Sequence, residues 1–161
     1  MTESNRSIFV LVAQRTAWWP VTFSVPAEDD AGYVIEQKIE MKFAFISDQQ
    51  LGELQQRARI IDIAAQILAE PKRAKELGEG IVIDDEAKSL ARLSPGDRVA
   101  EVYMKIVKDW RGVGSANDQP IPFNRDNFAM LLQSLPGFDR RSLLPAYIDC
   151  ISGEGKVRAG N

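Results

Sequence analysis

The sequence predicts an α+β fold: an N-terminal antiparallel β-sheet or hairpin, followed by a mainly α-helical C-terminal half. Three observations carry this expectation. Residues 18–25 and 33–46 alternate apolar and polar side chains with the period of half-buried strands. From Asp48 to about Glu70 the apolar residues instead recur at three- and four-residue steps, the period of a helix. After Asp97 that helical spacing returns, interrupted only by turns that carry Pro and Gly.

Taken in order, Met1 to Ser7 is polar and reads as a loose terminus, and Ile8 to Ala13 as a short buried strand. Trp19, Val21, Phe23 and Val25 share one strand face, and Pro20 places that strand at an edge or a strand start, since it cannot donate to a ladder. The acidic, Gly-ended loop from Pro26 to Gly32 reads as a hairpin connection. In the next strand Ile35, Ile39, Met41, Phe43 and Phe45 form a dry side, opposite Glu36, Lys38, Glu40 and Lys42.

Ser47 or Asp48 caps the long helix, whose stripe is Leu51, Leu54, Ala58, Ile61, Ala65 and Leu68, widened by Ile60, Ile63 and Ile67. Such a helix either covers the sheet alone or also offers a spare apolar face to a partner. Pro71 to Asp85 is a charged, Gly-broken connection, and Asp84 or Asp85 caps a brief helix reaching Leu93. Asp97 starts a helix expected to carry Val99, Val102, Tyr103, Ile106 and Trp110 on one face. A polar loop separates Trp110 from Pro120-Ile121-Pro122-Phe123. Asn124 is the N-cap of the next helix, with Phe123 and Phe128 at hydrophobic-staple positions. Phe128, Leu131, Leu132 and Leu135 form its apolar face; Pro136-Gly137 stops it, and a last helix passes Tyr147 and Cys150. The chain thus divides into a β region (1–46), a long amphipathic helix (47–70), a connecting segment (71–96), a helical region (97–152) and a flexible, polar tail (153–161).

Composition narrows the function. The 161 residues suffice for one domain, with 45% hydrophobic and 27% charged side chains. A net charge of −3 and a pI near 5.1 argue against a nucleic-acid surface, which wants a concentrated basic face. No histidine is present, which removes the commonest general base and metal ligand. The single cysteine, Cys150, excludes an intrachain disulfide and a thiolate cluster, and reads as a buried structural thiol in a reducing compartment. Neither Glu101 with Asp109, eight residues on, nor the adjacent Asp84 and Asp85 lies in a stretch that suggests a desolvated pocket. With no phosphate-binding loop and no nucleophile elbow, the expectation is a protein-binding chain and not an enzyme, with no cofactor or metal. No apolar run approaches a membrane span, so no membrane partner is expected.

One run carries more than packing. Trp110, Gly112 and Val113 form a Trp-x-Gly-Val turn, followed by Pro120, Pro122 and Phe123, the pair Leu131-Leu132, and the pair Ala146-Tyr147. Their order resembles the C-terminal half of the tail assembly chaperones of long-tailed bacteriophages, clearly over about the last third of the chain and loosely over its strand-then-helix opening. The resemblance implies a phage or prophage protein in the host cytoplasm that binds the tape measure protein, keeps it soluble and helps recruit tail tube subunits. It leaves room for a homo-oligomer. In much of that family the region before the turn is shorter, which leaves residues 81–94 without a role in the resemblance. Many members also make a longer product by ribosomal frameshifting, for which a slippery G/A run at Gly155-Lys156 is the place to look.

The expected partner-binding residues are Leu51, Leu54, Ile61 and Leu68 on the long helix, then Trp110 and Phe123 in the aromatic turn, with the helix favoured for contact and the turn as an anchor. Two other readings compete: a minor tail or head–tail connector subunit that self-assembles through its sheet edges, and a small-molecule-binding domain.

Overall fold

A computed structural model describes residues 11–153 and 155. Strand β1 (Thr16–Pro26) and strand β2 (Val34–Ala44) form a long antiparallel hairpin, with Thr16 opposite Ala44 and Pro26 opposite Val34. Its loop closes through Ala27 N–H to the Tyr33 carbonyl (2.9 Å), and Gly32 takes a φ of +84°, which favours glycine. A third strand, β3 (Val107–Arg111), pairs antiparallel with β2, so β2 is central and β1, with Pro20, is an edge as expected.

Side-chain alternation sorts the sheet. Trp19, Val21, Met41, Ile39 and Trp110 share the face turned to the core, while Trp18, Glu40, Lys42 and Arg111 share the other. On that outer face Arg111 stacks over the Trp18 ring at 4.0 Å and reaches Glu40 at 3.3 Å. The dry side of β2 does not run its whole length. The hairpin projects past the core, leaving Ile35 exposed beside Tyr33 and Val34.

Among the described residues six α-helices follow from β2 onward. Ser47 caps α1 (Asp48–Ala69) in a capping box with Gln50, as its hydroxyl accepts from Gln50 N–H and Gln50 Oε1 from Ser47 N–H. A 3₁₀ turn (Pro71–Arg73) and the single-turn α2 (Ala74–Leu77) follow. Asp84 caps α3 (Asp85–Ala91), and Ser94 caps α4 (Pro95–Tyr103) with Pro95 at its first position. Asn124 caps α5 (Arg125–Ser134), accepting from Asn127 N–H at 2.8 Å, and Phe123 and Phe128 meet with ring centroids 5.5 Å apart. A π-helical turn (Asp139–Leu143) leads into α6 (Leu144–Ser152).

The C-terminal elements close over the sheet. Phe138 meets Phe23 edge-on at 5.2 Å, and Tyr147 meets Phe43 at 5.3 Å. Tyr147 also donates its hydroxyl to the Ala44 carbonyl and accepts from Ile46 N–H, both at 3.1 Å, fixing where β2 ends and α1 begins. Cys150 is buried, as expected.

Several expectations are corrected. The helix after Asp97 begins earlier, at Pro95, and does not reach Trp110. It ends at Tyr103, and Trp110 lies on β3. The false periodicity runs from Ile106, buried in the turn before β3, to Trp110 four residues on, and a β-bulge adds a second helix-like interval. Val107 pairs with Phe43 but Asp109 with Lys42, so Lys108 is an extra residue, and the core-facing Val107 and Trp110 fall three apart, as in a helix. Glu101 and Asp109 accordingly share no helix face. Helix α1 does not lie on the sheet; its principal neighbours are α3 and α4. Within the expected strand from Ile8 to Ala13, Leu11 and Val12 are exposed and outside any strand, and residues 8–10 lie outside the described residues, as do Met1–Ser7 and nearly all of the tail. Residues 81–94 gain a role: Arg57 on α1 grips Asp84 at 2.8 and 3.1 Å and Glu86 at 2.9 Å, docking α3.

Candidate partner-binding groove

The expected contact residues separate on inspection. Leu54 and Trp110 are buried in the core and offer no free face, and Ile61, also buried, only reaches the floor of the groove described below. Leu51 and Phe123 are half-buried and packed against that core. Leu68, 53% exposed near the end of α1, is the one open side chain of the set. Trp110 is an anchor: its indole N–H donates to the Ile121 carbonyl at 2.8 Å, and its ring stacks edge-on against Phe123 (5.2 Å) and Phe128 (6.4 Å). The run from Trp110 to Phe128 is therefore one built unit, in which Gly112, at φ +88°, makes the turn that carries the chain off β3. A short bridge between Gly114 and Pro120 closes the polar loop and sets the approach to Phe123.

The open concavity lies elsewhere. A groove of about 610 Å³ runs between α1 on one side and α4, the end of α5 and the π-helical turn on the other. Its apolar floor includes Ala58, Ile61, Val99, Val102, Leu132 and Leu144. The walls are held rigidly. Gly96 of α4 sits so close to α5 that an added Cβ would lie 2.5 Å from the Ala129 carbonyl oxygen, and its N–H donates to Gln133 Oε1 at 3.0 Å. Arg125 of α5 pairs with Glu101 and Asp97 of α4. Arg98 crosses the junction to donate to the Leu93 carbonyl at 2.8 Å, satisfying the end of the α3 segment.

The rim is charged. Arg59 and Arg140 take no part in an ion pair among the described residues, and both are exposed. Asp62 accepts from the Gln66 amide at 3.2 Å. Asp139 lies across the groove from α1, next to Arg140 in sequence. Within the groove wall the Tyr103 ring is buried while its hydroxyl opens on the groove, since no buried side-chain nitrogen or oxygen among the described residues lacks a partner. Burial pushes that phenol up to about 12; Asp139 adds to the shift and Arg140 opposes it.

Sequence reasoning reached Ile61 and the apolar positions of α4 but not the groove. Val99, Val102 and Tyr103 were legible as one helix face, whereas their meeting with Ala58 and Ile61 depends on α1 lying along α4. Among the described residues no cluster of acidic side chains or Cys150 is placed to hold a metal ion, and no helix is long and apolar enough to cross a membrane. Comparison with protein-family models, curated proteins and solved structures finds no match for this chain.

Proposed function

We propose that this chain is a tail assembly chaperone of a long-tailed phage or prophage, acting in the host cytoplasm. In this reading it binds the tape measure protein, keeps that long helical protein soluble and helps recruit tail tube subunits. The observation that carries the reading is the groove along α1 and α4: an apolar floor with an unpaired charged rim suits the apolar stripe of an incoming amphipathic helix. The Trp110–Tyr147 run that resembles the chaperone family supports it as the framework behind the groove, since α5 and α6 supply Leu132 and Leu144 to the floor.

Co-expression with the large helix-rich protein encoded just downstream tests the reading. Retention of an otherwise insoluble protein in the soluble fraction, and its co-purification with this chain, is the expected result. Continued insolubility refutes it.

A second reading, a self-assembling tail or connector subunit, is favoured by one feature. The projecting β1–β2 hairpin exposes Tyr33 just before β2 and Val34 and Ile35 on it, beside an open edge at β1. Rings or tubes of the isolated protein in electron micrographs would favour that reading over the first.

A further inference from the structure

The two edges of the sheet are built differently. Phe45 N–H donates to the Arg15 carbonyl at 2.7 Å and Ala27 N–H to the Tyr33 carbonyl at 2.9 Å, so odd-numbered residues of β1 turn their backbone groups toward β2. Even-numbered residues turn theirs outward, and Pro20 and Pro26 both fall at outward positions. A proline has no N–H to offer, so this edge cannot complete a ladder with another strand. The opposite edge is open over part of its length. Strand β3 covers β2 only at residues 40–43, and Gly112, beside Ile39, carries the chain away. Residues 34–38 have no partner strand on that side among the described residues. Ala44 N–H donates to the Ile106 carbonyl at 2.8 Å, so even-numbered residues of β2 face that side. Val34, Glu36 and Lys38 thus present N–H and C=O groups there with no proline among them. The same stretch leaves Tyr33 71%, Val34 65% and Ile35 48% exposed.

We infer that the 34–38 edge of β2 pairs with the same edge of a second copy of this chain, antiparallel and with the two-fold axis at Ile35. In that register Val34 of each copy lies opposite Glu36 of the other and exchanges backbone hydrogen bonds with it. The two Ile35 side chains then meet directly, at a closely spaced position that carries no ladder hydrogen bond. An axis at Glu36 would set two carboxylates face to face, and an axis at Gln37 would drive Val34 into the place that β3 already takes beside Glu40. Charge favours a second copy over an unrelated strand. Antiparallel pairing sets the tip of each hairpin beside the base of the other, bringing Glu28, Asp29 and Asp30 toward Lys38. Lys38 is exposed and takes no part in an ion pair among the described residues. Both ends of the joined sheet are the proline-bearing β1 edges, so growth stops at a dimer. The inference stands on the sheet alone and holds whether or not the chain is a chaperone.

Sedimentation equilibrium of the full chain from roughly 10 µM to 1 mM tests it, because one short strand edge per copy is a small interface with a dissociation constant on the order of 100 µM. A monomer–dimer equilibrium with no larger species is the expected result. Glu36→Pro copies the device of the β1 edge, removing an outward N–H without touching the ladder to β1, and should weaken the dimer about tenfold or more. Thr22→Pro, the same change at an outward position of β1, should leave the dimer as it was. Ile35→Glu and Ile35→Lys should each be monomeric, and their equimolar mixture should regain the dimer, since unlike charges then face each other across the axis. All three positions are exposed, so melting temperatures should stay near that of the native chain. In the native chain the amides of Val34, Glu36 and Lys38 should gain protection from hydrogen exchange as concentration rises, while those of Trp18, Thr22 and Ser24 do not.

A chain that stays monomeric across the range, or rings and tubes in place of a dimer, overturns the inference. So does a dimer that survives Glu36→Pro or is lost in Thr22→Pro, a charged mixture that stays monomeric, or protection that appears on β1 and not on β2. The chaperone reading is judged separately, by retention of the tape measure protein.

Discussion

Removing one oxygen, in Tyr147→Phe, should destabilise the chain by about 2 kcal/mol. Tyr147 is fully buried, and its hydroxyl joins residues 101 and 103 positions away, accepting from Ile46 N–H and donating to the Ala44 carbonyl. Phenylalanine preserves the edge-on contact with Phe43, so the packing term stays and only the two hydrogen bonds go. Each bond contributes about 1 kcal/mol net, and a backbone group left buried without a partner costs about 1–3 kcal/mol. Ile46 is partly open to solvent, which lets water reach its N–H, whereas Ala44 is closed to it; the sum is therefore nearer two ordinary bonds than two full desolvation penalties. For a chain of this length about 2 kcal/mol lowers the melting temperature by roughly 4–8 °C. Urea unfolding followed by tryptophan fluorescence measures the loss, with a lower midpoint and an unchanged m-value. A loss below about 0.5 kcal/mol would refute the reasoning, because it would mean that the β2–α1 junction is not held by α6.

Other consequences can be checked in the same preparation. Gly52 lies inside α1 with open space where a Cβ would be, so Gly52→Ala should stabilise by about 0.5–1 kcal/mol. Gly96→Ala should instead cost about 1–3 kcal/mol, as its Cβ would strike the Ala129 carbonyl at the α4–α5 contact; the two variants' urea midpoints should move in opposite directions. The hydrogen bond from Arg57, and then that from Ala87 N–H, hold the Asp84 carboxyl below its ordinary value. Its stabilisation is present above the unfolded value and is lost as pH falls through the lower folded value. Asp84→Asn should therefore flatten the acid limb of the stability–pH curve below about pH 4. Burial pushes the Cys150 thiol up to about 11, so it should resist a thiol reagent at pH 8 until denaturant is added. The stability it contributes is present below the unfolded thiol value and lost as pH rises through about 11.

What the sequence revealed depended on how local the cause was. The Asn124 cap, the Phe123–Phe128 staple and the edge position of β1 follow from side chains a few residues apart, and each was legible. Strand β3 was not. Its bulge at Lys108 puts Val107 and Trp110 on one face at a helix-like interval, and only the partner strand β2 resolves the ambiguity. The groove was hidden for a related reason. Leu54 and Ile61 read as a spare stripe because nothing in the stripe itself tells a buried position from a docking one, and the α3 segment that covers part of α1 is tied on by Arg57 from 27 residues away. Tyr103 looked like ordinary core. Its open hydroxyl is visible only once Asp139 and Arg140 are placed around it.

Hydrogen–deuterium exchange of this chain, alone and with the co-expressed tape measure protein, tests the central claim most directly. The account predicts added protection in α1 around residues 55–62 and in α4 around 98–103, with the β1–β2 hairpin unchanged. Protection confined to the hairpin, or none at all in a complex that forms, would contradict it.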